Sequence, residues 1–271
     1  MEQALLWAAC GTGFTFLMTA LGASTVFLMR GRTSAMAQRV FLGFAAGIMI
    51  AASVWSLLIP AIEQAAETGG EAMSWVPAAG GFVIGVAFLM VLHAALPHLH
   101  PGAASPEGRP SKWGRPTLLF TAVTLHNIPE GMSVGLLFAM AGLTGDAATF
   151  GMATALAVGI GIQNVPEGAA VALPLLQEGM SAPRAFLMGA LSGVAEPAFG
   201  VGVVLFAGLV MPFMPWMLAA SAGAMMYVVV EELIPESHLG EREGAGLRAS
   251  AGTLAVMAGF LLMMVLDVSL G

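Results

Sequence analysis

Long apolar stretches restrict the fold of this sequence more than any other feature. A helix needs roughly 20 apolar residues to cross the hydrocarbon core of a bilayer. Eight stretches reach this length: residues 4–29, 35–60, 76–96, 116–142, 147–176, 183–211, 215–236 and 249–270. Only 9% of the residues are charged, whereas a soluble domain carries about 25%. The sequence therefore predicts an all-α membrane protein with eight transmembrane helices, the first of which is a span and not a cleavable signal.

The connections between these stretches are short, with one exception. Residues 97–115 form a long connection whose Pro, Gly and Ser content is typical of a mobile loop. We expect one transmembrane domain over residues 1–271, with the helices in a 3+2+3 arrangement.

The positive charges predict the orientation. In an eight-helix arrangement all nine Lys and Arg residues lie on one side: Arg30, Arg32, Arg39, Arg109, Lys112, Arg115, Arg184, Arg242 and Arg248. Basic loops stay in the cytoplasm, which predicts a multi-pass protein of the cell membrane with both termini outside. Glu63, Glu67 and Glu71 then lie on the outer side, where they would raise the local concentration of cations.

Three carboxylates, Glu130, Glu167 and Glu196, lie within apolar stretches and have no Lys or Arg nearby in sequence. A charge in the hydrocarbon region costs several kcal/mol, so such groups face a cavity, a partner or an ion. A bound cation or a proton is the remaining candidate for neutralising them.

The fourth and fifth stretches carry the same phrase. Residues 125–131 read LHNIPEG and residues 162–168 read IQNVPEG, with Asn, Pro, Glu and Gly in register. Neighbouring helices joined by a short loop run antiparallel, so the repeat is inverted. Inverted repeats place ion sites near the middle of the membrane, where helices are irregular.

Helical spacing puts the polar residues of each phrase on one face. The two faces consist of His126, Asn127 and Glu130, and of Gln163, Asn164 and Glu167. Imidazole together with carboxylate suits zinc and its first-row neighbours, whereas magnesium and calcium prefer oxygen ligands. Taken singly, a His or Asn in a membrane helix more often bonds neighbouring helices, and a lone Glu can be a protonated structural residue.

Proline and glycine shape the two helices. Pro129 and Pro166 donate no backbone hydrogen bond, so each releases one carbonyl group for another partner. We expect Gly131 and Gly168 to let the two kinked helices approach each other closely.

The sequence resembles the ZIP family of zinc and iron transporters, and most closely its bacterial branch with a histidine in the fourth helix. The resemblance is carried by the doubled phrase, by Glu196-Pro197, and by residues 231–238, which read EELIPESH.

The resemblance implies a binuclear metal site between helices 4 and 5. Its ligands would be Glu130 and Glu167 bridging two ions, His126, Gln163 and Met49 at the first ion, and Asn127, Asn164 and Glu196 at the second. Gln163 replaces a frequent histidine, and Asn164 replaces an aspartate of some relatives. Glu232, Glu236 and His238 would form an exit station, and a solvated helix end is the alternative. The resemblance also implies a homodimer and a block of helices 1, 4, 5 and 6 that slides against helices 2, 3, 7 and 8.

We therefore expect a transporter that moves a divalent transition metal into the cytoplasm, with Zn²⁺ as the substrate and Cd²⁺, Fe²⁺ or Mn²⁺ as further possibilities. One alternative is a transporter of another cation that uses the same carboxylates. An intramembrane zinc hydrolase is less favoured, because the sequence has no His-Glu-x-x-His and no Gly-x-Ser-x-Gly. We expect no enzyme activity and no nucleic-acid partner.

Three histidines are more ambiguous. His98 and His100 open the long loop and are either weak metal ligands or part of an ordinary polar loop. His93, near the end of the third stretch, is interpreted as a packing or interfacial residue.

Overall fold

The computed structural model describes residues 2–28, 35–99, 106–238 and 250–270, and these form long helices. The helical segments are α1 (Glu2–Phe27), α2 (Met36–Gly69), α3 (Glu71–Ala95), α4 (Arg115–Thr144), α5 (Ala147–Gln177), α6 (Ala182–Leu205), α7 (Met211–Ser237) and α8 (Ala251–Leu270).

Seven of the helices in the described part of the chain are long and apolar enough to cross a membrane, namely all except α4. The predicted all-α membrane protein is thereby confirmed. Helix α4 has the necessary length of 30 residues, but it is not among the helices that are apolar enough by composition. Pro129 and Pro166 lie inside α4 and α5 without ending either helix.

Several helices contain irregular turns. Helix α2 changes to a π-helical turn at Ser53–Leu58, and α7 does so at Val229–Leu233. Helix α6 is interrupted between Ala182–Ser192 and Ala195–Leu205. The remaining short elements are 3₁₀ turns at Ser24–Phe27, Glu71–Met73 and Met211–Phe213, and helical turns at Ala207–Val210 and Ile234–Ser237. The π turns of α2 and α7 pack against each other's helices, and such turns frequently accompany functional sites.

The helices form two groups, within which pairs of backbones touch. Helices α1, α4, α5 and α6 pack together, and α2, α3, α7 and α8 form the second group. Glycines make the close approaches: Gly85 meets the Ala220 carbonyl between α3 and α7, and Gly259 meets the Phe44 carbonyl between α8 and α2. Small residues allow this kind of packing between membrane helices.

The expectation for Gly131 and Gly168 is wrong. Gly131 contacts the backbone of Glu196 in α6, and Gly168 contacts the backbone of Thr19 in α1. The sequence marked both positions as close contacts, but the partner helices lie within the first group and are not α4 and α5 themselves.

The two groups meet mainly through side chains. We call the contact between the two groups the seam. One buried cluster at the seam contains Ile48 of α2, Leu156 of α5 and Met263 of α8. At Gly159 of α5 the nearest atoms are the side chain of Met263. The seam therefore runs between α5 and helices α2 and α8, and between α4 and α7.

The start of the long loop is folded back on the helices. His98 and Glu107 exchange two backbone hydrogen bonds of 3.2 and 2.9 Å, and the Leu99 side chain is buried beside Leu118. His100 lies outside the described residues.

Candidate functional site

Helices α2, α4, α5 and α7 enclose a small cavity at the seam. Its volume is ≈ 20 Å³, which is room for one water molecule or one ion. Its lining includes five residues predicted as ligands for metal: Met49, His126, Glu130, Gln163 and Glu167. The rest of the lining is apolar, so an ion there would be neutralised by these side chains and not by bulk water.

Glu130 is a buried carboxylate in this cavity, and only one of its two oxygens has a hydrogen-bond partner among the described residues. It is 1% exposed, and its Oε1 accepts a hydrogen bond of 2.7 Å from Gln163 Nε2. Among the described residues, Glu130 Oε2 and Gln163 Oε1 have no hydrogen-bond partner. A buried, unpaired carboxylate oxygen is costly, and a cation in the cavity would remove that cost.

Asn164 and Glu196 lie together on the side of α5 that faces α1 and α6. Asn164 Nδ2 is 2.9 Å from both carboxylate oxygens of Glu196 and 3.1 Å from the carbonyl oxygen of Thr15. Thr19 Oγ1 also donates to Glu196 Oε1, at 3.3 Å. Neither Asn164 nor Glu196 lines the cavity.

Asn127, like Asn164 and Glu196, does not line the cavity. Its Nδ2 donates to the Ser192 carbonyl at 2.9 Å. Its Oδ1 is buried and has no hydrogen-bond partner among the described residues, so this oxygen remains free to accept a bond.

A second cluster adjoins His126. His126 Nε2 lies 2.8 Å from Glu232 Oε1, and His93 Nδ1 lies 3.7 Å from the same oxygen. One ligand atom from each residue falls within 4.8 Å of the others, and all three residues are buried. Two imidazoles and a carboxylate form a ligand set typical of zinc. His126 is thus shared by this cluster and the cavity.

His93 is the residue that sequence reasoning undervalued. The sequence suggests a packing or interfacial residue, yet the His93 ring lies 5.9 Å from the ring of His126 and 4.6 Å from that of His98. The available signal was a histidine in an apolar stretch, but nothing in the sequence shows that α3 brings it beside α4 and α7.

The other predicted exit residues are dispersed. Glu236 is half-buried in the turn that ends α7. His238 Nδ1 lies 2.8 Å from the Ile234 carbonyl, and its Nε2 lies 3.1 Å from Thr253 Oγ1 of α8. Of the predicted exit residues, only Glu232 joins the cluster of His93 and His126.

A further buried carboxylate, paired with a serine hydroxyl, was not predicted. Ser56 Oγ in the π turn of α2 donates to Asp267 Oδ1 of α8 at 2.5 Å. Asp267 is 6% exposed, and its Oδ2 has no hydrogen-bond partner within the described ranges. The rule applied to Glu130 should have identified Asp267, which lies three residues before the end of α8.

An acidic cavity opens at the end of α2 that is remote from His93. Its volume is ≈ 390 Å³, and Glu63, Glu67 and Asp146 are among its lining residues. Hydrogen bonds from the hydroxyl and then the backbone N–H of Thr149 hold the pKa of Asp146 below its ordinary value. This carboxylate therefore caps the start of α5 and stays ionised, which keeps the cavity negative.

The sequence matches one family model and several known proteins. The family model described as ZIP Zinc transporter matches residues 115–267, more than half of the chain. The chain is 38% identical to zinc transporter ZIP11 of Homo sapiens, covering 100% of this chain and 99% of that protein. It is 39% identical to zinc transporter GufA of Myxococcus xanthus, with 93% and 94% covered. It is 38% identical to zinc transporter ZIPB of Bordetella bronchiseptica, with 98% and 82% covered.

These matches confirm the resemblance that the sequence motifs carried. They also confirm the expectation of a transporter and not an enzyme, because the matched family consists of zinc transporters. The chain is a multi-pass membrane protein that belongs to the ZIP family of zinc transporters.

Proposed function

We propose that this protein moves Zn²⁺, or a chemically similar divalent transition metal, into the cytoplasm through the seam between its two helix groups. The observation that carries the proposal is the cavity at Glu130, where a buried carboxylate oxygen without a partner faces a space the size of one ion. The names of the similar proteins, all zinc transporters, support the choice of substrate.

The donor set supports a transition metal over other cations. His126 offers an imidazole nitrogen, Met49 a soft sulfur, and Glu130 and Glu167 two carboxylates. Imidazole and thioether bind zinc-class metals better than they bind sodium, magnesium or calcium. The carboxylates supply the negative charge that a dehydrated dication needs in an apolar region. Cd²⁺, Fe²⁺ and Mn²⁺ are further candidates on the same grounds.

His126 links the cavity to an inner step of the path. Because its Nε2 lies 2.8 Å from Glu232, the same imidazole can contribute to a site in the cavity or to the cluster with His93 and Glu232. We propose that the metal passes from Glu130 and Glu167 to this cluster, and then past Glu236 and His238 to the cytoplasm.

The proposed arrangement has eight membrane-crossing helices, with α4 as the eighth, in a 3+2+3 order. The basic loops lie in the cytoplasm and both termini outside the cell membrane, so Glu63, Glu67 and Asp146 collect cations at the outer entrance. A homodimer belongs to the same proposal.

Glycine packing supports a sliding movement. Within each group, backbones touch at glycines such as Gly131 and Gly259, and a shift there would break many contacts at once. Between the groups, flexible side chains such as Met263 form the contact. We propose that helices α1, α4, α5 and α6 slide as one block and expose the cavity alternately to each side.

Uptake into proteoliposomes tests the proposal. His126→Ala and Glu130→Gln should each abolish Zn²⁺ uptake while the protein still elutes as a folded species. Glu2→Gln is a matched control, because Glu2 is exposed at the start of α1 and lies outside both cavities. Wild-type uptake in both cavity variants would reject the site, and equal competition by Ca²⁺ would favour a carboxylate-only transporter of other cations.

A further inference from the structure

We infer that this transporter binds one metal ion where a binuclear site was expected, because the side-chain amide of Asn164 takes the place of the second ion. The inference rests on the proposed function and refines it. It assigns Asn164 as a residue that positions Glu196 without metal, and it leaves the first ion at Glu130 and Glu167.

The surroundings of Asn164 Nδ2 resemble the oxygen shell of a cation. Three oxygens surround it: both carboxylate oxygens of Glu196 at 2.9 Å and the Thr15 carbonyl at 3.1 Å. An amide NH₂ group has two N–H donors and no lone pair to offer, so its two donors are shared among these three acceptors at ordinary hydrogen-bond distances.

The orientation of the amide follows from the same shell. If Asn164 were turned so that Oδ1 faced inward, an oxygen would stand against three oxygens without any proton between them. Its actual Oδ1 instead lies 3.3 Å from Gln163 Nε2, a donor. The network therefore selects the one orientation in which Asn164 presents positive hydrogen atoms to Glu196.

The buried carboxylates of Glu196 and Glu130 differ in whether both of their oxygens accept hydrogen bonds. Within the described residues, both oxygens of Glu196 accept hydrogen bonds, from Asn164 and from Thr19. Glu130 has one oxygen bonded to Gln163 and one without a partner. Of these two carboxylates, Glu196 has hydrogen-bond donors at both oxygens without an ion, whereas Glu130 does not, so the comparison favours an ion beside Glu130.

An aspartate in place of Asn164 would reverse this balance. It would present two anionic oxygens to Glu196, and the repulsion between the carboxylates would need a cation between them. The single change from Asp to Asn therefore decides whether α5 and α6 are joined by a hydrogen-bonded amide or by a metal ion.

Metal stoichiometry tests the inference. Purified protein is saturated with Cd²⁺, freed of excess metal, and analysed for bound cadmium per chain. Glu130→Gln should bind one ion fewer than wild type, whereas Glu196→Gln should bind the same number. Asn164→Asp should bind one ion more than wild type, and Glu196→Gln in that background should remove the extra ion.

The outcomes separate the two proposals. If Glu130→Gln loses no ion, the proposed transport site fails, whatever happens at Glu196. If Glu196→Gln binds one ion fewer than wild type, or Asn164→Asp binds no more than wild type, the inference is overturned while the transport site stands. If neither of these variants folds, zinc X-ray absorption of the wild-type protein decides. A Zn–Zn distance near 3.5–4 Å, typical of a two-metal site, overturns the inference, and its absence upholds it.

Discussion

The packing of α2 against α8 yields a sharp stability prediction at Gly47. A Cβ atom there would overlap the Val256 carbonyl and lie 2.6 Å from the backbone N of Phe260, whereas ordinary contact begins at 3.4 Å. The two helices would have to move apart, because both contacts are with backbone atoms that cannot rotate away. Overpacking of this kind costs about 1–3 kcal/mol, so Gly47→Ala should lower the melting temperature by about 2–4 °C for each kcal/mol lost.

Two further glycines provide the comparison. Gly159→Ala would meet only the side chain of Met263, which can adopt another rotamer, and should therefore cost much less than Gly47→Ala. Gly13→Ala would meet nothing within 4 Å and should be neutral or stabilising by about 0.5–1 kcal/mol, because alanine favours a helix. Thermal unfolding in detergent measures all three. Equal losses for Gly47→Ala and Gly159→Ala would refute the distinction between backbone contacts within a group and side-chain contacts across the seam.

Three other changes have defined outcomes. A double-mutant cycle of Asn164→Ala and Glu196→Ala in metal-free protein should give a coupling free energy of unfolding of about 1.5–3 kcal/mol, as for a hydrogen bond to a charged group. Additive effects of the two substitutions would mean that the two side chains are not hydrogen-bonded. Zinc affinity measured by titration calorimetry should fall as the pH is lowered, because protons compete with the metal for imidazole and carboxylates; an affinity independent of pH would argue against these ligands. Asp146→Ala should weaken the start of α5 and Asp146→Asn should preserve it, as judged by hydrogen exchange near Thr149, because asparagine also caps helices well.

Much of the site was predictable because its residues violate the apolar pattern. Glu130, Glu167 and Glu196 are the carboxylates that an apolar stretch cannot hold without compensation, and the repeated phrase ties them to His126 and Gln163. Asp267 also lies within an apolar stretch and could have been identified by the same reasoning.

The sequence could not show which helix packs against each face of a given helix. A glycine marks a close approach but not its partner, which is why Gly131 and Gly168 were assigned to the wrong helix pair. His93 joins His126 only through the tertiary arrangement of α3, α4 and α7. Whether Asn164 binds a metal or replaces one likewise depends on Glu196 and Thr15, which lie on other helices.

The most direct test of the account is the position of zinc in the protein. Crystals grown with Zn²⁺ and measured at the zinc absorption edge should show an anomalous peak between α4 and α5, within bonding distance of Glu130 and Glu167. A zinc-loaded protein that transports zinc yet shows no peak beside these two carboxylates would contradict the account.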